Sequence, residues 1–518
     1  MTLLAELVAA SQRVGATASR RAKVAALASF LRRLAPDEIE IAVAFLCGET
    51  PQGKLGIGYA TLQAIGSGSA VAAPATLELR AVNAALDGLA GTIGKGSAAE
   101  RARALGELFG RATGAERGFL VRLLVGELRQ GALEGVMLDA IAQAAALPVA
   151  DVRRAAMYAG GLGAVAAAVL TEGAPGLGRF SMQLLRPLQP MLAQSAPDID
   201  AALAQLGTAA FEWKLDGARV QVHKALDAVR VYTRQLNDVT AAVPEVVEAV
   251  QPLGARELIL DGEAIALQPT GAPRPFQITM RRFGRKLDVA ALRAELPLSV
   301  FFFDCLRRDA VDLVDRPARE RFDSLAEALP GDLLVPRLVT GDAAAAQAFF
   351  EDALRHGHEG VMAKALDAPY EAGRRGSGWL KVKRAQTLDL VVLAAEWGHG
   401  RRNGWLSNLH LGARDPAAGE FVMLGKTFKG LTDEMLAWQT EAFLARAVAR
   451  DAGTVYVRPE IVVEIAFNEL QASPQYAGGL ALRFARVKGY RPDKEASAAD
   501  TIDTVRALYA AQTRPPAA

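Results

Sequence analysis

The stretch Glu212-Trp213-Lys214-Leu215-Asp216-Gly217-Ala218-Arg219 decides how this sequence is interpreted. Its lysine follows the start of a predicted buried strand and directly precedes an Asp-Gly turn. A lysine amine has a reference pKa of about 10.4, but partial burial and neighbouring cations lower that pKa and allow the amine to attack phosphorus. Arg219, one strand step further on, is placed to hold a phosphate or a ribose. Alone, a Lys-x-Asp-Gly sequence is more often an ordinary surface hairpin.

Three further segments follow the lysine in order and weaken that simpler interpretation. Asp261-Gly-Glu263 comes after an apolar strand, and Glu359-Gly-Val-Met-Ala-Lys364 comes after a predicted helix. Trp379-Leu-Lys381-Val-Lys383 places two lysines on one face of a strand, because side chains two residues apart point the same way. Each segment alone has a plain explanation, since Asp-Gly-Glu is common in hairpins and Lys-x-Lys on an edge strand discourages aggregation. The ordered set is the specific signal.

This ordered set resembles the covalent nucleotidyltransferase superfamily of DNA ligases, RNA ligases and mRNA capping enzymes. On that resemblance Lys214 is the catalytic lysine that becomes adenylated, and the expected cofactors are ATP and Mg²⁺ or Mn²⁺. Carboxylates suit such a cation, and the resemblance gives the metal role to Glu263 and Glu359. With Lys214, the residues that the resemblance assigns to the nucleotide are Glu212, Arg219, Arg234, Glu263, Phe303, Met362, Arg375, Lys381 and Lys383.

The resemblance also implies how some of these residues divide the nucleotide among them. Phe303 is expected to stack on one face of adenine, with Phe301 on the same strand face as the alternative, and Met362 covers the other face. Lys381 and Lys383 are expected to hold the α-phosphate. Arg234 is expected to contact the nucleotide or a 5′-phosphate, and either Arg374 or Arg375 fits a basic pair that often precedes the two lysines.

A basic segment near the C-terminus extends the resemblance. Arg483-Phe-Ala-Arg-Val-Lys-Gly-Tyr-Arg-Pro-Asp-Lys494 is similar to the superfamily's sixth motif, which lies on an OB-fold. Ala485 stands where the family usually has proline, a departure that removes no charge. In the family these residues orient the pyrophosphate of ATP while the lysine is adenylated. The resemblance gives that role to Arg483, Arg486, Arg491, Asp493 and Lys494.

Two segments before the lysine narrow the resemblance to DNA ligases of the archaeal and eukaryotic type. The first, Phe119 to Gly131, is similar to a helix and turn that meet the minor groove in their N-terminal DNA-binding domain. Its leucines at helical spacing are predicted core, so the candidates for DNA contact are Arg129, Gln130 and Gly131. The second, Arg186 to Ala193, is similar to the short lead-in to the catalytic domain.

The distribution of residue types predicts three domains of different fold class. Apolar residues at helical spacing, such as Leu4, Leu7 and Val8, predict an all-α domain over residues 1–178. Short β-rich runs with intervening helical stretches predict an α/β (α+β) nucleotidyltransferase domain over residues 179–386. Short strands and glycine-containing turns then predict an all-β OB-fold domain over residues 387–518.

Composition excludes several classes of protein. With 51% hydrophobic and 22% charged residues the chain can form a sizeable core, and its net charge of +2 means that any basic surface must be local. Two cysteines exclude a disulfide framework and a four-cysteine zinc site, and they favour the reducing cytoplasm. Neither a signal peptide nor an apolar run of membrane-spanning length is recognised, so no membrane association is expected.

The resemblance thus implies an ATP-dependent DNA ligase that seals nicks in double-stranded DNA as a cytoplasmic monomer, nucleoid-associated if prokaryotic. Lys214 attacks ATP, AMP moves to the 5′-phosphate of the nick, and the 3′-hydroxyl displaces AMP. The C-terminal domain is expected to turn between these steps. Replication, repair and recombination all remain open as its pathway. The alternatives are an RNA ligase or capping-type enzyme, an NAD-dependent DNA ligase, which the cysteine count disfavours, and a non-catalytic DNA-binding protein, which the retained charged residues disfavour.

Overall fold

The computed structural model describes residues 1–53, 55, 57, 61–62, 65, 72–92, 94, 96–128, 134–283, 288–371, 375–384, 386–399 and 402–513. Within these ranges no helix is both long enough and apolar enough to cross a membrane. The predicted DNA contacts Arg129, Gln130 and Gly131 lie outside the described residues, as does Arg374, and nothing is described of the Arg375 side chain.

The N-terminal region is helical, as its apolar spacing predicts. Leu4, Leu7 and Val8 are buried in one core with the following helices. Helix ends follow local signals: Thr113 and Glu116 form a capping box at the start of one helix, whose C-cap Gly126 is left-handed with φ 74°. The helices described in this region are α1 (Leu4–Gly15), α2 (Arg20–Leu31), α3 (Pro36–Cys47), α4 (Leu79–Gly91), α5 (Ser97–Gly110), α6 (Gly114–Val125), α7 (Glu134–Ala145), α8 (Val149–Ala159) and α9 (Leu162–Glu172).

In the central region, the described residues form two five-stranded sheets and six short helices. The first sheet, in spatial order, has β1 (Leu192–Ser195), β10 (Arg375–Lys383), β9 (Gly360–Ala365), β2 (Ala209–Trp213) and β8 (Arg337–Thr340). The second has β4 (Ala228–Thr233), β3 (Ala218–Ala225), β5 (Glu257–Ala266), β6 (Leu298–Arg308) and β7 (Val311–Asp312). The helices are α10 (Ile199–Leu206), α11 (Pro244–Val250), α12 (Phe276–Met280), α13 (Val289–Glu295), α14 (Ala318–Ala328) and α15 (Ala343–Arg355). Lys214 therefore lies where the chain passes from the first sheet to the second.

The C-terminal region is built around one long strand, β11 (Gln386–Trp397). Register shifts let β11 pair with three neighbours, so the sheet curves toward a barrel. The other elements are β12 (Leu406–Asp415), β13 (Glu420–Thr427), α16 (Asp433–Ala445), β14 (Ala447–Arg450), β15 (Thr454–Val457), β16 (Val462–Phe467), β17 (Glu469–Ala472), β18 (Leu480–Arg483), β19 (Arg486–Tyr490) and α17 (Ile502–Thr513). The predicted succession of all-α, mixed α/β and OB-like β folds is confirmed.

Each outer region contacts the central one through a small number of side chains. Met157 and Tyr158 of α8 pack into an apolar cluster with Leu188 and Trp379 of the central region. On the other side, β17 and β18 pair as a hairpin that faces the connection containing Lys214. The chain itself crosses between the central and C-terminal regions in two residues, since β10 ends at Lys383 and β11 begins at Gln386.

Candidate active site

Lys214 is fixed by backbone hydrogen bonds to the start of β9. Its N–H donates to the Gly360 carbonyl at 2.8 Å, and its own carbonyl accepts from the Glu359 N–H at 3.2 Å. Gly360 has φ 138°, and an added Cβ there would overlap the Val382 carbonyl oxygen of β10. Glycine is therefore required at residue 360 for β9 to approach both β10 and the backbone of Lys214 this closely. This close approach places Glu359 beside Lys214.

One carboxylate joins two amines at this point. The Nζ of Lys214 contacts Oε2 of Glu359, and the Nζ of Lys383 lies 2.6 Å from the same oxygen. The side chains of Lys214 and Glu359 are 19% and 18% exposed, so the pair is screened from water on most sides. Lys383 comes from β10, which brings the predicted phosphate-binding lysine next to the predicted nucleophile.

The acid–base state of the pair differs from the sequence expectation. Burial by itself lowers the pKa of Lys214, but the charges of Glu359, Glu263 and Asp216 outweigh it and raise that pKa above its ordinary value. The expectation of a lowered pKa is wrong for this arrangement because it counted neighbouring cations and not carboxylates. Burial and the Lys214 charge instead lower the pKa of Lys383. Lys214 is thus an ammonium ion held by Glu359.

Arg219 is held rigidly behind the lysine. Its Nε and Nη2 donate to the two oxygens of Asp261 at 2.9 and 2.5 Å, and its Nη1 donates to the Met191 carbonyl at 2.6 Å. The Tyr370 hydroxyl donates to Asp261 at 2.7 Å and accepts from the Met191 N–H at 3.0 Å. Because Nη2 also donates to the Tyr370 hydroxyl at 3.2 Å, the guanidinium is oriented by three groups, and its bidentate contact with Asp261 fixes its plane.

An aromatic pocket lies beside Arg219. Phe303 and Trp379 meet edge to face with ring centroids 6.0 Å apart, and the Arg219 guanidinium carbon lies 5.5 Å from the Phe303 centroid. Met362 and Phe303 border the same apolar cluster, as the two walls of a flat base would. Phe301 is further along the same strand face, opposite Glu263 in register, and does not border the cluster that contains Trp379 and Met362.

Glu212 is the most enclosed of the predicted nucleotide-binding residues. Its carboxylate is 2% exposed and accepts from Arg337 and Lys364, whose nitrogens lie 2.7 and 2.6 Å from its oxygens. The Nζ of Lys364 is also 4.5 Å from the Phe303 ring centroid. A buried cation, Lys364, and a partly buried one, Arg337, therefore neutralise this carboxylate, and Lys364 connects it to the aromatic pocket.

The two predicted metal ligands both act on Lys214. Glu263 faces Arg219 across β3 and β5, and burial raises its pKa to about 8 against the opposing charges of Lys214 and Arg219. Among the described residues no group of three or more acidic, histidine or cysteine side chains forms a metal cage. Mg²⁺ usually takes one or two carboxylates together with substrate phosphates, so Glu359, which contacts Lys214 and Lys383, and Glu263, whose charge acts on Lys214, fit that ion.

The sixth-motif residues separate into two groups. Arg483 reaches the lysine site, where its Nη1 contacts Glu469 and lies 3.5 Å from Oδ2 of Asp216. Arg491, Asp493 and Lys494 remain within the C-terminal region: Arg491 and Lys494 pair with the buried carboxylate of Asp389, and Arg491 also pairs with Asp493 at 2.7 Å. Arg486 is exposed. Arg483 is thus the sixth-motif residue that contacts a neighbour of Lys214, namely Asp216.

Two other predicted residues lie at the edges of the site. Lys381 is opposite Met362 in the β9–β10 register, on the same strand face as Lys383. Arg234 is exposed after β4 and lines a narrow cleft together with Arg219 and Asp261.

Several residues of the site were not predicted from the sequence. Tyr370, Arg337 and Glu469 lie outside the recognised motifs, and only their polar character in apolar surroundings could have drawn attention to them. Asp261 and Lys364 lie within recognised motifs, yet their partners come from strands distant in sequence. No pattern within one segment shows such pairs.

Comparison with known proteins gives one family for all three regions. Residues 63–142 match the family model "DNA ligase N terminus", residues 190–383 match "ATP dependent DNA ligase domain", and residues 402–494 match "ATP dependent DNA ligase C terminal region". A "Probable DNA ligase" of Anaeromyxobacter sp. (strain Fw109-5) is 62% identical over 510 residues, 98% of each chain. One of Sorangium cellulosum (strain So ce56) is 59% identical over 508 residues, 98% of this chain and 95% of that protein. The solved structure Pmar-Lig_Pre has a TM-score of 0.62 at 17% identity, covering 94% of this chain and 99% of that one, a likeness of fold alone.

Proposed function

This chain belongs to the family of ATP-dependent DNA ligases, and from that premise we propose that it seals nicks in double-stranded DNA through AMP carried on Lys214. The observation that carries the proposal is the placement of Lys214. Its amine lies between the two sheets of the central region, in contact with Glu359 and beside Lys383. The second cation and the nearby aromatic pocket can hold a nucleotide with its phosphates against this amine.

In the first step, the Nζ of Lys214 bonds to the α-phosphorus of ATP while the bond from that phosphorus to the bridging oxygen breaks and pyrophosphate leaves. The amine must first lose a proton, and the base already in contact with it is the Glu359 carboxylate. AMP then moves to the 5′-phosphate of the nick, and the 3′-hydroxyl attacks that phosphate with release of AMP. Lys383, and Lys381 on the same strand face, stabilise the charge that develops on the phosphoryl oxygens.

The adenine ring is proposed to lie between Phe303 and Met362. Both side chains border one apolar cluster, and Lys364 connects this wall to the Glu212 carboxylate. The ribose and phosphates would then extend toward Arg219 and Lys214, with Arg234 at the open edge of the cleft. Arg375 and the sixth-motif residues Arg486, Arg491, Asp493 and Lys494 stay predictions of nucleotide contact, as Arg129, Gln130 and Gly131 do of DNA contact.

We propose Mg²⁺, or Mn²⁺ in its place, as the divalent cation. Glu263 and Glu359 would hold it through carboxylate oxygens, and it would supply neutralisation of phosphate charge. What the chain itself contributes is orientation: β5 fixes Glu263 opposite Arg219, and the backbone of β9 fixes Glu359 beside Lys214.

The enzyme is proposed to act as a monomer in the cytoplasm, on DNA held mainly through its backbone because a nick occurs in any sequence. Cys47 and Cys305 are unpaired, which suits a reducing compartment. Replication, repair and recombination each generate nicks and are all compatible with this site. Light scattering after size exclusion tests the monomer, and a dimer at micromolar concentration would contradict it.

The test of the central proposal is covalent labelling with α-labelled ATP and Mg²⁺, for wild type beside Lys214→Ala and Lys224→Ala. Lys224 is a matched control because it is also a buried lysine, bonded to the Leu253 carbonyl away from the site. We expect label on wild type and on Lys224→Ala and none on Lys214→Ala, followed by sealing of nicked DNA in preference to nicked RNA. Wild-type protein that takes no label from ATP, or a labelled Lys214→Ala chain, would refute the assignment.

A further inference from the structure

The hairpin β17–β18 is the part of the C-terminal region that meets the lysine site. Glu469 and Gln471 are two residues apart on β17 and share a face, and Arg483 on β18 is directly opposite Glu469 in register. The Nε2 of Gln277 donates to Oε1 of Gln471 at 2.8 Å, which joins the two regions by one amide hydrogen bond. The Arg483 guanidinium carbon also lies 4.2 Å from the Phe276 ring centroid.

Arg483 is shared by two carboxylates from opposite sides of this contact. Its Nη1 contacts Glu469, which belongs to the same hairpin, and lies 3.5 Å from Asp216, which follows Lys214 in the central region. The three side chains are between 18% and 27% exposed, so water screens their charges only in part. Burial raises the pKa of Asp216, and the charges of Glu359 and then Glu469 raise it further, as expected where Glu469 and Asp216 repel each other across the shared Arg483.

We propose that Glu469 is a positioning residue that sets how strongly the C-terminal domain is held against the lysine site. When the domain turns away, Arg483 loses Asp216 but keeps Glu469, so no cation is left without a partner. Without the Glu469 charge, the repulsion of Asp216 disappears and Asp216 becomes the sole carboxylate partner of Arg483 in the arrangement described. We call the described arrangement, in which the hairpin faces Lys214, the closed arrangement. Removal of the Glu469 charge therefore favours the closed arrangement over one in which the C-terminal domain has turned away.

This inference rests on the proposed function, and it predicts that loss of the Glu469 charge affects one step of the reaction, the adenylation of Lys214. In the closed arrangement Arg491 and Lys494 are bound to Asp389 and do not face Lys214. If they are to orient pyrophosphate, the C-terminal domain must turn before Lys214 is adenylated. Overstabilising the closed arrangement slows adenylation, and it leaves sealing by enzyme that already carries AMP unchanged.

The experiment measures the two steps separately in the full chain. Adenylation is the rate of labelling by α-labelled ATP, and sealing is a single turnover of pre-adenylated enzyme on nicked DNA. For Glu469→Gln we expect labelling slower by about three- to fivefold, the upper part of the range for a partly exposed ion pair, with sealing within about twofold of wild type. Glu469→Asp should restore the labelling rate. Glu434→Gln, an exposed acid on α16 of the same domain, is the matched control.

A second variant tests the same idea in the opposite direction. Gln471→Ala removes the bond to Gln277 and loosens the closed arrangement, so it should label at least as fast as wild type and seal more slowly. Glu469→Gln labelling at the wild-type rate, a loss of both steps in equal proportion, or slow labelling by Gln471→Ala would each overturn the inference. Failure of the wild type to label at all is a separate result, since it refutes the adenylation of Lys214 itself.

Discussion

Replacing Tyr370 by phenylalanine removes one buried hydroxyl from the centre of the site and leaves the ring volume almost unchanged. The side chain is 3% exposed, and the hydroxyl donates to Asp261 at 2.7 Å while it accepts from the Met191 N–H at 3.0 Å. Arg219 contacts the same oxygen at 3.2 Å. The substitution therefore removes three hydrogen bonds and creates no cavity.

The expected cost follows from these bonds. The Met191 N–H loses this acceptor, and a buried unsatisfied amide costs about 1–3 kcal/mol. Asp261 keeps its two bonds from Arg219, so losing the third adds only part of the roughly 1.5–3 kcal/mol typical of a charged acceptor. We expect the free energy of unfolding to fall by about 2–4 kcal/mol. Because Arg219 also loses one of its supports, the ATP concentration for half-maximal labelling should rise.

Urea denaturation measures the stability, and labelling over a range of ATP concentrations measures the binding. The control is Tyr456→Phe, whose hydroxyl also bonds a carboxylate, Asp451 at 3.2 Å, but on a residue that is 42% exposed. This control should change the free energy of unfolding by less than about 0.5 kcal/mol. A Tyr370→Phe variant as stable as Tyr456→Phe would show that the hydroxyl network does not hold the site together.

Three further outcomes are expected. Gly360→Ala places a Cβ 2.9 Å from Phe350 and against the Val382 carbonyl, so it should lower the free energy of unfolding by about 2 kcal/mol or more and reduce labelling. The control is Gly453→Ala, where an added Cβ has no atom within contact distance. Equal urea midpoints for the two variants would contradict this prediction. Burial lowers the pKa of His223 to about 3, so only the unfolded chain binds this proton between pH 6.5 and 3. Stability should fall as pH decreases through that window, by up to about 1.4 kcal/mol per pH unit from this residue, and His223→Gln should show a shallower fall in urea titrations at pH 7 and pH 5; parallel curves would disprove it. EDTA should abolish labelling and added Mg²⁺ restore it, whereas label that persists in EDTA would exclude a required cation.

The fold class and the order of the three regions were predictable because each depends on local patterns. Apolar spacing identified the helical region, and short strands with a lysine-turn motif identified the central one. The strand before Lys214 and the Asp-Gly turn at residues 216–217 were also predictable, but a turn of this kind is equally typical of a hairpin, so the passage from one sheet to another at Lys214 was not.

The electrostatics of the site were not predictable in the same way. The partner that raises the pKa of Lys214 is Glu359, 145 positions away in sequence. Likewise, the sixth motif is one basic segment in the sequence, but its two halves lie in different places. Arg483 lies on the hairpin, whereas Lys494, which follows β19, contacts Asp389. Distances between side chains depend on how strands pair, which no single segment specifies.

The two-residue connection between β10 and β11 limits how the C-terminal domain can travel. The three Cα–Cα steps from Lys383 to Gln386 span at most about 11 Å, so a domain that turns as proposed cannot move far from the strand that carries Lys383. The connection thus begins at the strand proposed to bind the phosphates, and the domain stays within reach of Lys214 while that lysine carries the proposed AMP group. Inserting glycine and serine residues into this connection would lower the effective concentration of the C-terminal domain at the lysine site. It should therefore slow every step in which the domain must come back to that site.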